Sequence, residues 1–398
     1  MITMADWVVY VAMPFVAAAL GYGTKRIAIE MMFRPLRFVG IPHTFLGWQG
    51  VVPRNAERMI RIAAEMLTTR LVDAREVFAR VDARRLAEEL ETALLVEVDA
   101  ITRSVMAKHH PGLWETLPVL AQDVLVKQVQ AGAPEAVRRI VETLQDTVDQ
   151  VLDIKELAVD TLRRDPALMV RLIKDISKPE MAFIARSGIY FGFALGVVQT
   201  LVWALTKQPL VLPLFGMCIG WFTDWLAIKL VFFPRERRFG FQGVFQKRRD
   251  EVAEQYGELV AREVVTVPNI LRSVLNGPRA DRLEALVERV VHETIENQAA
   301  LARPLVATAI GKRRLAAMKR EASIQAIERL PDTLRQAEDY LTETLDVGNT
   351  IATKMRDLTR TEYEELLRPA FRRDEWKLIA VGALIGFAVG ELQVLLLH

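Results

Sequence analysis

The residues with chemistry to offer are few and scattered. Of the five histidines, His109 and His110 are adjacent, His43 lies in a turn-rich linker and His398 is the last residue, none with ligand-type company. His292, Glu293 and Glu296 resemble half a metal site, but the second half is missing and the triplet suits an exposed helix face. Gly311-Lys312 lacks the preceding glycine of a phosphate-cradling loop, and no Gly-x-Ser-x-Gly nucleophile turn occurs. Cys218 is the single cysteine, which leaves neither an internal disulfide nor a cysteine-based zinc site. No catalytic, cofactor-binding or metal site is expected. With Lys+Arg at 52 against Asp+Glu at 50, there is no global basic field to hold nucleic acid either.

The more informative polar residues are those embedded in apolar sequence. Apolar residues make up 51% of the chain and charged residues 26%, two figures that fit together only if the types are segregated. Residues 7–22, 187–205, 210–222 and 378–397 are long runs without Lys or Arg. Spanning ~30 Å of hydrocarbon takes about 20 helical residues. The second and fourth runs suffice, and the first and third do if their helices continue through Thr24 and Thr223. Gln199, Gln393 and Glu391 are the strongly polar residues inside such runs. Glu391 is the ionisable one, a candidate for function by position alone, although it lies toward an outer end where it can reach water.

Fifteen basic residues flank one side of these runs, from Lys25, Arg26, Arg34 and Arg37 through Lys174, Lys178 and Arg186. Lys229, Arg235, Arg237, Arg238, Arg368, Arg372, Arg373 and Lys377 complete the set, and Lys207 alone stands on the other side. Positive charge stays in the cytoplasm, so both termini face outward and both long polar regions face inward. The first run lacks a basic segment before it, which favours an uncleaved anchor over a signal peptide.

The chain reads as a duplication. Residues 14–35 recur 199 positions later with seven identities in 22: Pro, Gly, Thr, Ala, Ile, Phe and Pro coincide. Gly192-Phe193-Ala194-Leu195-Gly196 and Gln199 are echoed by Gly386-Phe387-Ala388-Val389-Gly390 and Gln393. Each unit then has two crossings, so the copies share one orientation: a parallel repeat, unlike the inverted repeat of many transporters. Small residues spaced by four mark the expected helix-packing faces: Gly188, Gly192 and Gly196; Gly382, Gly386 and Gly390; Ala17 and Gly21; Gly216 and Gly220. Gln199 and Gln393 occupy related places and could hydrogen-bond across the seam.

The fold expected is all-α, with four transmembrane helices in two parallel repeats, each enclosing a large cytoplasmic helical domain. The segments are 1–35, 36–186, 187–206, 209–234, 235–377 and 378–398. In the polar regions, Val137, Ile140, Val141, Leu144, Val148, Val151 and Leu152 form one apolar stripe. Leu283, Leu286, Val287, Val290, Val291 and Ile295 form another. Their spacing buries one helix face against neighbours.

The pattern Gly-x-x-Thr-x-x-x-Ala-Ile-x-x-x-Phe-x-Pro at Gly21, Thr24, Ala28, Ile29, Phe33 and Pro35, and again at Gly220, Thr223, Ala227, Ile228, Phe232 and Pro234, resembles the bacterial membrane-protein family catalogued as domain of unknown function 445. The Gln-Gly-Val after each copy and the closing Gly-Phe-Ala-x-Gly share in that resemblance. It implies a multi-pass protein of the bacterial cytoplasmic membrane and no assigned activity. The family commonly has Asn after the motif Thr, where this chain has Lys25 and Asp224. These residues, at equivalent positions of the two copies, leave two readings: each snorkels separately to the interface, the one the sequence favours, or they meet as an ion pair if both lie near the repeat axis.

Membrane lipid is the one partner implied directly; protein partners in the envelope or cytoplasm and the oligomeric state stay open. Three functions remain: a membrane-anchored helical scaffold or interaction module, favoured here; a transporter or channel along the glycine seam; or a lipid-binding or lipid-transfer protein. A continuous polar path through the four helices would favour transport, an apolar groove in the polar regions opening at the membrane would favour lipid, and neither would leave the scaffold. Cysteines introduced at residues 60–170 are expected to resist membrane-impermeant reagents in intact cells and to react after lysis. Labelling from outside would overturn the orientation.

Overall fold

The computed structural model describes residues 4–41, 47–233, 243–298, 312–367 and 375–397. The Pro234 and Gln242 positions of the second motif, and the basic residues at 235–238 and 368–373, lie outside them. The described chain is all-α apart from one short antiparallel pair, β1 (Val39–Gly40) with β2 (Gly47–Trp48). The helices are α1 (Met4–Phe33), α2 (Val51–Met66), α3 (Ala74–Phe78), α4 (Ala83–Glu89), α5 (Glu91–His109), α6 (Pro111–Thr116) and α7 (Val119–Gln130). Next come α8 (Ala133–Val151), α9 (Ile154–Arg164), α10 (Pro166–Ile176), α11 (Lys178–Thr206), α12 (Val211–Phe232), α13 (Val244–Lys247) and α14 (Arg249–Glu263). The last are α15 (Val267–Asn276), α16 (Ala280–Gln298), α17 (Lys312–Arg335), α18 (Glu338–Leu345), α19 (Val347–Asp357), α20 (Arg360–Leu367) and α21 (Glu375–Leu397).

Two compact units share these helices. The first comprises Met1–Met66, Leu162–Tyr256 and Ala352–His398; the second comprises Leu67–Thr161 and Gly257–Ile351. This partition differs from the expected domains at 36–186 and 235–377, since each unit draws on both of those stretches. Amphipathic stripes explain the difference. Every stripe needs an apolar surface to face, and the sequence does not say which; α8 and α16 take each other.

In the first unit α1 packs along α11, and α12 packs along α21. α11 and α12 also meet, and α1 touches both α12 and α21, which closes the four into a bundle. Among the described residues α11, α12 and α21 are long and apolar enough to cross a membrane. α1, the fourth span expected, is 30 residues long. The outer faces of these helices carry exposed apolar side chains, among them Phe15, Leu201, Leu214, Trp221, Leu384 and Leu395. Exposed apolar residues in such numbers, on long helices, are what a lipid solvent permits and water does not. The unit also contains α2, α10 and α13 and adjoining segments, with Val52, Ile60, Ile173, Phe245, Val252 and Tyr363 buried.

In the second unit short helices are started by local signals. Asp82 caps α4 by accepting from the backbone N–H of Arg84 at 2.8 Å and Arg85 at 3.2 Å. Thr266 caps α15, with Pro268 in its first turn, where proline loses no helical bond. Around these, α5 packs on α17 and α7, α16 on α8 and α17, and α4 and α3 on α8. Ion pairs join residues far apart in sequence: Arg139 with Glu293 at 3.2 Å, Arg279 with Asp153 at 3.1 Å, and Lys108 with Glu321 at 2.8 Å. Exposed pairs of this kind are each worth under ~1 kcal/mol, so apolar contact holds the unit together.

Candidate functional site

Two places concentrate unusual chemistry. The first is the interior of the four-helix bundle. A methyl group added at Gly21 would fall on the carbonyl oxygen of Gly188, and one added at Gly220 would fall on that of Gly382. One at Gly192 would come within 2.6 Å of the Ala17 carbonyl oxygen, and one at Gly216 would overlap the carbonyl of Gly386. Gly196 faces Ala17 and Pro14, and Gly390 faces Pro213. Backbones therefore touch along both helix pairs, and glycine is required at each crossing because any side chain would separate them.

Where the bundle interior becomes polar, Lys25 and Asp224 meet. Lys25 Nζ lies 3.0 Å from Asp224 Oδ1 and donates to Thr223 Oγ1 at 2.8 Å. Lys25 is 1% exposed and Asp224 6%. Asp224 Oδ2 is buried without a hydrogen-bond partner and lies against Gly382, where a Cβ would overlap it. The hydroxyls of Thr24 and Thr223 donate to the carbonyls of Gly21 and Gly220, one turn back. Gln199 Nε2 donates to Gln393 Oε1 at 3.3 Å. Glu391 is exposed on α21. Pro35 lies beyond the end of α1, and its carbonyl accepts from Gly50 N at 3.0 Å. A third buried polar group, outside the apolar runs, is Glu180, which accepts from Arg248 at 2.7 Å. Burial, and next the Glu180 charge, push the nearby Tyr363 hydroxyl above the ordinary phenol range.

The second place is a cavity of about 820 Å³ inside the second unit. The core there is split. Val105, Met106, Trp114, Val126 and Met318 form one cluster. Val151, Leu283 and Val287 form another, flanked by Ile140, Leu144, Val274, Val291, Ile327 and Leu330. The hollow is lined from both clusters. All seven residues of the α8 stripe face it, as do Leu283, Val287, Val291 and Ile295 of the α16 stripe. Hence Ile140 and Leu144, which point inward, are only half-buried. The mouth is marked by Leu113 and Leu125, which line the cavity and are 41% and 36% exposed. α7 is apolar on two faces: Leu117 lies just before it and Ala121 and Leu125 within it on the cavity side, while Val119, Leu120 and Val124 point outward.

Polar groups in the wall are few, and several are already used. Thr294 and Thr333 donate to the carbonyls of Val290 and Arg329 at 2.7 and 3.0 Å. Gln145 donates to Phe78 and Val81, and Arg329 pairs with Glu97 at 2.6 Å. Lys319, 8% exposed, pairs with Glu296. The His292, Glu293 and Glu296 triplet is thus divided: His292 Nε2 is 3.8 Å from Glu288, Glu293 pairs with Arg139, and Glu296 with Lys319.

Neither the cavity nor Lys319 is among the residues singled out from the sequence. The two stripes pointed to an interior, but a stripe reads the same whether it meets a neighbour or a hollow. Lys319 left a fainter signal: it sits among Leu315, Met318, Ala322 and Ala326, where the helical period calls for an apolar residue.

Comparison with known proteins gives one short match. Over 79 residues, 19% of this chain, it is 34% identical to a UPF0754 membrane protein of Synechococcus sp., and the match spans 18% of that relative's length. No family model matches the chain, and no solved structure does.

Removing one member of a buried ion pair strands the other, at a cost of about 3–5 kcal/mol, whereas replacing both is far milder. Lys25→Met and Asp224→Asn are each expected to lower the unfolding temperature sharply in detergent. The double variant should lose much less than the sum, and simple additivity would show that the two charges are not coupled.

Proposed function

We propose that this chain is a multi-pass protein of the bacterial cytoplasmic membrane whose polar portion holds an apolar ligand, a lipid hydrocarbon chain, in its hollow. The spans are α1, α11, α12 and α21, arranged as two parallel repeats, with the polar portion in the cytoplasm. Support for the repeat comes from equivalent contacts. Gly21 with Gly188 corresponds to Gly220 with Gly382, Ala17 with Gly192 to Gly216 with Gly386, and Pro14 with Gly196 to Pro213 with Gly390. Lys25 and Asp224 are themselves equivalent, as are Gln199 and Gln393, and such pairs meet only close to a two-fold axis. The relative from Synechococcus, a membrane protein by name, belongs to the same family as domain 445, in line with the motif resemblance.

The observation that carries the ligand reading is the cavity. An engineered apolar cavity of ~150 Å³ already binds benzene rather than water, and this one is several times larger at about 820 Å³. Side chains that line an unfilled hollow forgo the dispersion contacts a close-packed interior supplies, and a hydrocarbon chain restores them. Water is a poor filling, because several hydroxyl and amide groups of the wall are already bonded to protein. An apolar chain entering past Leu113 and Leu125 satisfies the wall. A scaffold role has no comparable observation in its favour, and the backbone contacts along both glycine seams are packing rather than a path for transport.

Filling the cavity tests this. Ile140→Phe and Val287→Phe, in the full-length protein, are expected to reduce co-purified long-chain lipid beyond the annular lipid, without lowering the unfolding temperature. Equal lipid retention by the filled and native proteins would contradict the reading.

A further inference from the structure

We infer that the cavity receives a long-chain carboxylate, with the Lys319 ammonium as the partner of its head group. The inference rests on the apolar-ligand reading and specifies the ligand's polar end. Lys319 lies on α17 between Leu315, Met318 and Ala322, all of which line the cavity with it. Its side chain is 9% exposed, so its charge is withdrawn from water in a wall that is mostly aliphatic. A buried ammonium is retained only when bonded. It has three N–H donors, and Glu296 supplies its one recorded partner. Two donors remain for a ligand.

Glu296 is suited to a yielding partnership. It is 50% exposed and does not itself line the cavity, so its carboxylate meets water as well as the ammonium. The other charge in the wall is less suited. Arg329, ten residues along the same helix and therefore roughly 15 Å away, is 39% exposed and pairs with Glu97, which lines the cavity beside it. One buried cation in the lining of an apolar hollow fits one anionic head on one hydrocarbon chain. A neutral amphiphile of equal length would fill the hollow but leave the ammonium with Glu296 alone.

Photo-activatable palmitate and the matching hexadecanol, both carrying a diazirine, separate these cases in full-length protein held in peptidiscs. Peptide mapping by mass spectrometry locates the labelled sites. The acid is expected to label cavity-lining segments about tenfold or more over the alcohol, the scale of a charge-assisted hydrogen bond. Lys319→Met should abolish that preference and leave alcohol labelling unchanged, while Glu296→Gln, which frees the ammonium, should strengthen it. Equal labelling by acid and alcohol in the native protein, or a preference that survives Lys319→Met, overturns the assignment. If neither probe labels the cavity, the apolar-ligand reading itself falls and takes this one with it.

Discussion

Aliphatic side chains that turn inward around a hollow they only partly fill are the constraint on which the rest of this molecule depends. The helices of the second unit bury one face each, as amphipathic helices must. Their apolar faces are drawn from two separate stretches, Leu67–Thr161 and Gly257–Ile351. Two clusters close, one around Trp114 and one around Leu283 and Val287. Between them the stripe of α8 and part of that of α16 face open space. Protein interiors are normally packed as densely as organic crystals, so an aliphatic hollow of this size is a feature to be filled. Its wall is mostly aliphatic, with charge at Lys319 and at the Arg329–Glu97 pair.

The membrane unit is organised by the opposite extreme, contact without any space. In lipid there is no hydrophobic drive between helices, and association depends on how closely backbones approach. Glycine at six crossings removes every obstacle to that approach. Close packing leaves the pairs free to slide, and polar contacts reduce that freedom. The pairing of Lys25 with Asp224 and Thr223, together with that of Gln199 with Gln393, can form only in one register. A buried ion pair contributes little net stability but penalises every arrangement that separates the charges, and this suits a device that specifies geometry.

Much of this was legible in the residues. Helix character, the apolar runs and the small-residue faces follow from composition and period, because each is a local property. The contact between Lys25 and Asp224 was not decided by the residues: separate snorkelling to the interface fits the same sequence, and only the packed helices bring the two together. The partner of an amphipathic stripe is not local. The α8 and α16 stripes announced that each helix has an inside, yet nothing in either reveals that both turn toward one shared interior. Nor can a stripe reveal its distance from the opposite wall, which is why the cavity emerged only with the packed helices. Lys319 belongs with the cavity, since a lysine in an apolar stripe acquires meaning only once the stripe is known to face a hollow.

The most direct measurement is an experimental density map of the full-length protein, purified from its native membrane without added lipid. An elongated feature unaccounted for by protein is expected among Val105, Ile140, Leu144, Val287 and Leu330, with one end beside Lys319. A map in which these side chains close on one another and leave no space between the two clusters would contradict the reading of this protein as a holder of lipid chains.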